Sequence, residues 1–564
     1  MNSMKTTRRP GLIILTALSL LACLTRHVAA QRQNAAVANN MNQRIAHIEN
    51  FRPIPLETNE PPIHLNLEEL MKIYNVPGLS VAVFNNYKLD WAKGYGVAKE
   101  ATANPVTPHT LFPACSISKP ISAMAALHLV QEGKLSLDED VNLKLKSWKV
   151  PENQYTARQK VTLRRILTHT AGTTVHGFPG YEAGQPIPTL VQMLNGEKPA
   201  NNEPVRVDYL PGTKQRYSGG GFLILQQLMI DVTGEPFPQL MKKIVIDPLG
   251  LKDSTFAQPL PTPRTAEAAH GHNKHGGEVT GGWNVSPEMA VGGLWTTPSD
   301  LGKMALEVAL AERGMSNRVL SPEMAKEMLT LQINPEIENL DGGPAMRMGL
   351  GWQLGPPSDP GRYEHDGVNI GFLAEVVMWD SGHGMVIMAN NWSFETEIVM
   401  RYLANAIAEE YGWDYRVSPY TPWPYADTVV LATDRLRGPQ AAIATYYDLK
   451  KLWAEQKGQH PPKIAWTSDP PDFPPNEWDL FVVANTLADS HRVKDAVELM
   501  KVEISEYPKW PNAYVGANGY AGLGELYLRA GEKQLAIQTY EKLLQFEPGD
   551  QAAIEALQKL KKKN

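Results

Sequence analysis

Along residues 78–92 apolar and polar positions alternate: Gly78-Leu79-Ser80-Val81-Ala82-Val83-Phe84 runs out, Asn85-Asn86 supplies turn residues, and Leu89-Asp90-Trp91-Ala92 returns. A period of two around a turn predicts a β-hairpin. Near position 116 the period lengthens: Ile117, Ile121, Met124, Ala125, His128 and Leu129 recur at three-four spacing until Gly133. That spacing predicts one buried helix face. A second helix is expected over Phe222–Val232, stopped by Gly234. Phe372–Met378 and Gly384–Met388, around an Asp380-Ser381-Gly382-His383 turn, read as strands. Strand hairpins at both ends with helices between predict an α+β domain over 62–412. Its single antiparallel sheet is closed by the two ends of the segment and flanked by helices.

After about 412 the pattern changes. Pro/Trp-rich connectors, Pro419 to Pro424 and Pro461 to Pro475, bracket one helical unit at Gly438–Gln456, which makes 413–475 a linker. Over 476–564 a repeat emerges: Ala496 and Ala536 are 40 residues apart, as are Pro508 and Pro548. Leu523-Gly524, Tyr527, Gly531, Ala536, Tyr540 and Pro548 are similar to the tetratricopeptide pattern, in which small residues let two helices pack closely. The usual period is about 34, so an insertion near Lys509-Trp510-Pro511 is implied. An all-α tail of this kind is either a helical cap on the first domain or a groove for a protein partner.

The first thirty residues read as an export signal. Lys5, Arg8 and Arg9 precede the uncharged stretch Gly11–Leu24, and Val28-Ala29-Ala30 offers a cleavage site before Gln31. That stretch falls short of the roughly 20 residues that span a bilayer, so a periplasmic or secreted protein is expected, with 31–61 a flexible lead-in. Leu20-Leu21-Ala22-Cys23 keeps a second reading open, a lipoprotein tethered to a membrane through Cys23. Composition is that of a soluble globular protein, 43% apolar and 20% charged with formal net charge -6 over 564 residues, and no basic surplus points to nucleic acid. Cys23 and Cys115 are the two cysteines. One lies in the leader, so no internal disulfide and no cysteine zinc site is expected.

The strongest chemical signal is Cys115-Ser116-Ile117-Ser118-Lys119 at a helix start. A serine hydroxyl needs a base to become a nucleophile. Lys119, three residues on, shares its helix face, and the helix N-terminus favours a developing alkoxide. Ser118 serves equally well as a helix cap. Alone, S-x-x-K is a weak motif.

Its company raises its weight. Leu111-Phe112-Pro113-Ala114-Cys115-Ser116-Ile117-Ser118-Lys119-Pro120 resembles the nucleophile segment of class C β-lactamases, DD-peptidases and related esterases. Ile166-Leu167-Thr168-His169-Thr170-Ala171-Gly172, Pro211-Gly212-Thr213, Tyr217-Ser218-Gly219, Pro248-Leu249-Gly250-Leu251, Gly292–Leu301 and His365-Asp366-Gly367 follow in that family's order. The resemblance implies a β-lactamase/transpeptidase-like fold with a helical subdomain, Ser116 as the acylated residue, Lys119 as its activator and Tyr217 as proton shuttle. Neighbouring cations would lower the Tyr217 phenol from its reference pKa of about 10, and either group is left open as the base. The resemblance also implies an oxyanion hole from the backbone N–H groups of Ser116 and Val368, and substrate contacts from His365, Gly367 and Gly219.

Two departures bear on substrate. Gly219 stands where β-lactamases have an asparagine that holds the acyl side chain. His365 stands where they have a lysine for a substrate carboxylate, which leads us to expect a pH response through this imidazole, reference pKa about 6.5. Both point away from β-lactams and towards a peptidase or esterase. The expected substrates are small molecules or peptides: D-amino-acid-containing peptides or peptidoglycan fragments first, carboxylic esters or lactones second, β-lactams third. A catalytically silent module that binds a partner through its tail is the reading of another class. No cofactor is expected. His270, His272 and His275 lie in a turn context (Asn273-Lys274, Gly276-Gly277) and read as a solvated hairpin, not a metal site. His169 is expected to fix a loop, and His176–Tyr181 either lines the pocket or is plain surface.

Overall fold

The computed structural model describes residues 40–50, 65–273, 277–334, 336–415, 426–455, 477–489, 491–507, 511–512 and 517–561. The expected leader with Cys23, most of the lead-in, His275 and nearly all of the two Pro-rich connectors lie outside the described residues.

Helix α1 (Leu67–Ile73), with an Asn66–Glu69 capping box, precedes the hairpin of β1 (Gly78–Asn85) and β2 (Lys88–Lys99). Its turn falls one residue later than the pattern suggests. Asn86 and Tyr87 occupy the two central positions with φ of 51° and 60°, the left-handed pair that a two-residue hairpin needs to match strand twist. After β3 (Asn104–Pro105), the expected helix appears as α2 (Ser118–Gln131), and the second as α3 (Gly219–Thr233), ended by Gly234 at φ 70°. Helix α4 (Pro298–Glu312) precedes β4 (Gln353–Leu354), β5 (Arg362–Asn369), β6 (Phe372–Trp379) and β7 (Gly384–Ala389), and α5 (Phe394–Tyr411) closes the domain.

The seven strands form one antiparallel sheet in the order β3-β2-β1-β7-β6-β5-β4. The first and last parts of the domain meet where β1 pairs with β7, Val81 opposite Ile387. This is the α+β sheet expected from the alternation, with helices on both faces. Side-chain period decides which face each residue serves. Ala82, Phe84, Val376, Met378, Val386 and Met388 join the core under α2, α3 and α4. Leu79, Val81, Val83, Leu373, Val377, Met385 and Ile387 join a second core beneath α1 and α5. Both faces of the central strands are therefore dry.

The tail is helical: α6 (Ala426–Arg437), α7 (Pro439–Glu455), α8 (Glu477–Asp489), α9 (Val493–Glu506), α10 (Gly519–Arg529), α11 (Lys533–Phe546) and α12 (Gln551–Lys561). Its first helices extend the second core: Val430, Tyr446, Leu480, Val483 and Leu499 cluster with Val399 and Leu403 of α5. Arg435 of α6 donates to the Ile73 carbonyl at 3.3 Å. Helices α9 and α11 begin 40 residues apart, and Ala496 and Ala536 are both fully buried on them. A Cβ on Gly524 would lie 2.7 Å from the Tyr540 ring, so a bare α10 is what lets α11 approach. Among the described residues no helix is long and apolar enough to cross a membrane.

Candidate active site

A pocket of about 400 Å³ opens where α2, the start of α3, the segment before α4 and β5 converge. Ser116, Lys119, Tyr217, His365 and Val368, distant in sequence, all line it. Ser116 sits in a single 3-10 turn, Cys115–Ile117, immediately before α2. Cys115 has φ 51° and is wholly buried. A left-handed non-glycine residue costs on the order of 1–3 kcal/mol, and here the strain turns the next residue, Ser116, out of the core to intermediate exposure.

Lys119 points back one turn, its Nζ donating to Ser116 Oγ at 2.9 Å and to the Val291 carbonyl at 3.1 Å. It is 1% exposed. Burial penalises the ammonium and pulls it down to about 7, against smaller opposing effects of Asp366, Cys115 and Glu288. The Tyr217 ring lies 4.9 Å from that Nζ. Burial pushes its phenol well above the ordinary value, and the nearby Ser116 hydroxyl only partly offsets this. The cations expected to lower it do not prevail, because desolvation of the phenolate outweighs them. Tyr217 is held from three sides: Asp341 Oδ2 accepts its backbone N–H at 2.6 Å, and the rings of His169 and His176 lie 4.4 and 5.0 Å away.

His169 does fix a loop. Its φ is 58°, its Nδ1 accepts the Ser218 N–H at 3.1 Å, and burial holds the ring well below its ordinary pKa, hence neutral. His365 Nδ1 meets the Asp366 carbonyl, so Nδ1 carries the proton and Nε2 is the free acceptor. Burial, opposed by Asp366 and reinforced by Lys119, lowers it from 6.5 to about 4. This runs against the expected pH response through His365, because burial disfavours the charged imidazole.

Residues 64–409 match the family described as Beta-lactamase. The chain belongs to the beta-lactamase family. Over 293 residues, 51% of this chain and 73% of the relative, it is 28% identical to a beta-lactamase of Pseudomonas fluorescens. Over 250 residues, 44% of this chain, it is 22% identical to the teichoic acid D-alanine hydrolase of Staphylococcus aureus, of whose length it spans 57%. Among solved structures it is similar to the beta-lactamase/D-alanine carboxypeptidase from Yersinia pestis complexed with citrate, at 20% identity and TM-score 0.49, over 61% of this chain and 96% of that one.

Against this family background, neither glycine expected to touch substrate reaches the pocket wall. Gly219 opens α3 beneath the His176–Phe178 loop: its N–H donates to the His176 carbonyl at 2.9 Å, and a Cβ there would lie 3.1 Å from the Phe178 ring. Gly367 lies behind the nucleophile, where a Cβ would come within 2.6 Å of the Ala114 carbonyl and 3.0 Å of the Ser116 nitrogen. It is a spacer between β5 and the Ser116 turn. Ser118 is no cap; its hydroxyl accepts the Leu294 N–H at 3.0 Å and ties α2 to the Gly292–Leu301 segment. His176, Gly177 and Phe178 do line the pocket.

His270 pairs with Glu278 and buried His272 with the Asn390 carbonyl, and among the described residues no cluster of His, Cys, Asp and Glu suits a metal ion. Cys115 is a buried free thiol. Two acidic wall residues, Asp341 and Glu288, carry no mark in the sequence. Asp341 sits in an Asp341-Gly342-Gly343 stretch that looks like any turn. Glu288 stands four residues before the Gly292-Gly293 pair, with nothing local to mark it.

Proposed function

We propose that the protein is a serine hydrolase that works through an acyl-enzyme on esters or amides of D-amino acids. The observation that carries this reading is the 2.9 Å contact between the buried Lys119 amine and Ser116 Oγ inside the pocket. With its pKa near 7, Lys119 is largely neutral at slightly alkaline pH and accepts the serine proton as the alkoxide attacks the carbonyl carbon. Tyr217, held as the phenol, donates its proton to the departing oxygen or nitrogen and regains one from the Lys119 ammonium. Water then attacks the acyl-serine carbonyl, giving a proton to the same pair; the C–Oγ bond breaks, the pair returns that proton to Ser116 Oγ, and the acid is released. The N–H groups of Ser116 and Val368 stabilise the tetrahedral oxyanion. The D-amino-acid preference is supported by the teichoic acid D-alanine hydrolase among the relatives and by the neutral His365, which offers no permanent charge to a β-lactam carboxylate. Fluorophosphonate labelling of wild type and Ser116→Ala tests the chemistry, and a panel of D-alanyl esters, D-aminoacyl amides, p-nitrophenyl esters and nitrocefin tests the substrate. Label and turnover that depend on Ser116 are expected. Wild-type protein inert to every acylating probe would overturn the proposal.

A further inference from the structure

The polar lining of the pocket is unbalanced. Glu288, Asp341 and Asp366 are carboxylates on its wall, while Lys119 is the sole lysine or arginine there among the described residues. That lysine is drawn towards neutrality, and His169 and His365 are held neutral. Asp341 is occupied by the Tyr217 N–H and lies 3.9 Å from His176. Glu288 is different. It is 2% exposed, yet its Oε2 has no hydrogen-bond partner among the described residues. A buried carboxylate oxygen left bare is costly, and an incoming cation would offset that. Burial pushes this carboxyl up to about 7, against smaller opposing effects of its own backbone N–H, the Ser286 hydroxyl and Lys119, and a cation beside it would favour the charged form. Its place in the chain ties it to the reacting atoms. The Glu288 backbone carbonyl accepts the N–H groups of Val291 and Gly292 at 3.0 Å, and the Val291 carbonyl in turn holds the Lys119 Nζ that contacts Ser116, so the carboxyl enters the pocket wall one helical turn before the lysine's anchor.

We propose that Glu288 is a substrate-binding residue that receives a free ammonium close to the scissile carbonyl, so that the preferred substrates are aminoacyl esters or amides with an unblocked α-amino group. This rests on the serine-hydrolase reading above and narrows its substrate class: the pocket selects the amino end of a D-aminoacyl group and not a terminal carboxylate.

The experiment compares kcat/KM for D-alanine p-nitroanilide, N-acetyl-D-alanine p-nitroanilide and N-acetyl-D-alanyl-D-alanine, in wild type and Glu288→Gln. Wild type should favour the free amine by roughly 10- to 100-fold, the range of a charge-assisted hydrogen bond. In Glu288→Gln the ratio of the two anilides should fall to within about threefold, whatever happens to the absolute rates. Slowing of fluorophosphonate labelling of the wild type by D-alaninamide, and not by N-acetyl-D-alaninamide, reads the same preference without turnover or a variant. Equal or reversed wild-type preference, with Ser116-dependent activity intact, overturns the ammonium site alone. An unchanged ratio in Glu288→Gln does the same. Absence of any Ser116-dependent label or turnover overturns the serine-hydrolase reading beneath it.

Discussion

An ammonium sealed from water is costly, and the protein lowers that cost by keeping Lys119 close to neutral. In the proposed mechanism the base must be unprotonated, so the sign is clear. Below about pH 7 Lys119 is charged and kcat/KM should fall about tenfold per pH unit; above 7 it should level off. His365→Gln should leave that midpoint in place, because the imidazole, at about 4, does not titrate there. A midpoint that moves or vanishes in His365→Gln, read from the pH–rate profile, would reassign the limb. Lys119→Met should lower kcat/KM by roughly 10²–10⁴-fold, the ordinary worth of a positioned base. Tyr217→Phe should slow amides more than activated esters, since a p-nitrophenolate needs no proton to leave, and a ratio of the two rates equal to wild type would remove the shuttle role.

At the scale of elements, the site depends on β5 lying hard against the Ser116 turn. Gly367 permits it. Adding a methyl group there pushes into the Ala114 carbonyl and the Ser116 nitrogen, both backbone atoms that cannot rotate away. Gly367→Ala should therefore cost about 1–3 kcal/mol of stability and displace Ser116 from Lys119. A lower Tm together with a kcat loss is expected, whereas wild-type kcat in the variant would show that the turn has room. The third residue of the Tyr217-Ser218-Gly219 element is similarly crowded: a Cβ on Gly219 would stand 3.1 Å from the His176 carbonyl and the Phe178 ring, so a side chain there requires that loop to shift by a few tenths of an ångström.

At the scale of the molecule, the central strands of the sheet have no wet face. One side carries the helices around the pocket and the other carries α1, α5 and the first tail helices in one continuous apolar cluster. Burial of that kind contributes about 25 cal/mol per Å² of apolar surface, so the first tail helices are part of the core of the hydrolase domain, while α11 and α12 build a separate cluster. Truncation after Tyr415 should expose the part of the second core that Val430 and Leu480 help to close beside α1 and α5. The shortened chain should melt lower than the full chain and bind a hydrophobic dye. Equal melting temperatures would mean that the tail is energetically independent and free to serve as a partner-binding module.

Much of this was legible in the chain itself, for local reasons. Alternation and three-four spacing marked β1, β6, β7, α2 and α3, because burial of one face imposes its period on whichever residues build it. Ser116 and Lys119 were legible as a pair because one helical turn brings them together without help from the rest of the chain. Tyr217 and His365 were legible only through the order of family motifs. Their chemistry was not: the pKa of each was expected to move one way or titrate near neutrality, and the pocket reversed that by excluding water. The one-residue slip of the first turn, the spacer roles of Gly219 and Gly367, and the bare oxygen of Glu288 depend on which atoms arrive within 3 or 4 Å from segments distant in sequence. Desolvation and close approach belong to no stretch of sequence, and only the folded chain decides them.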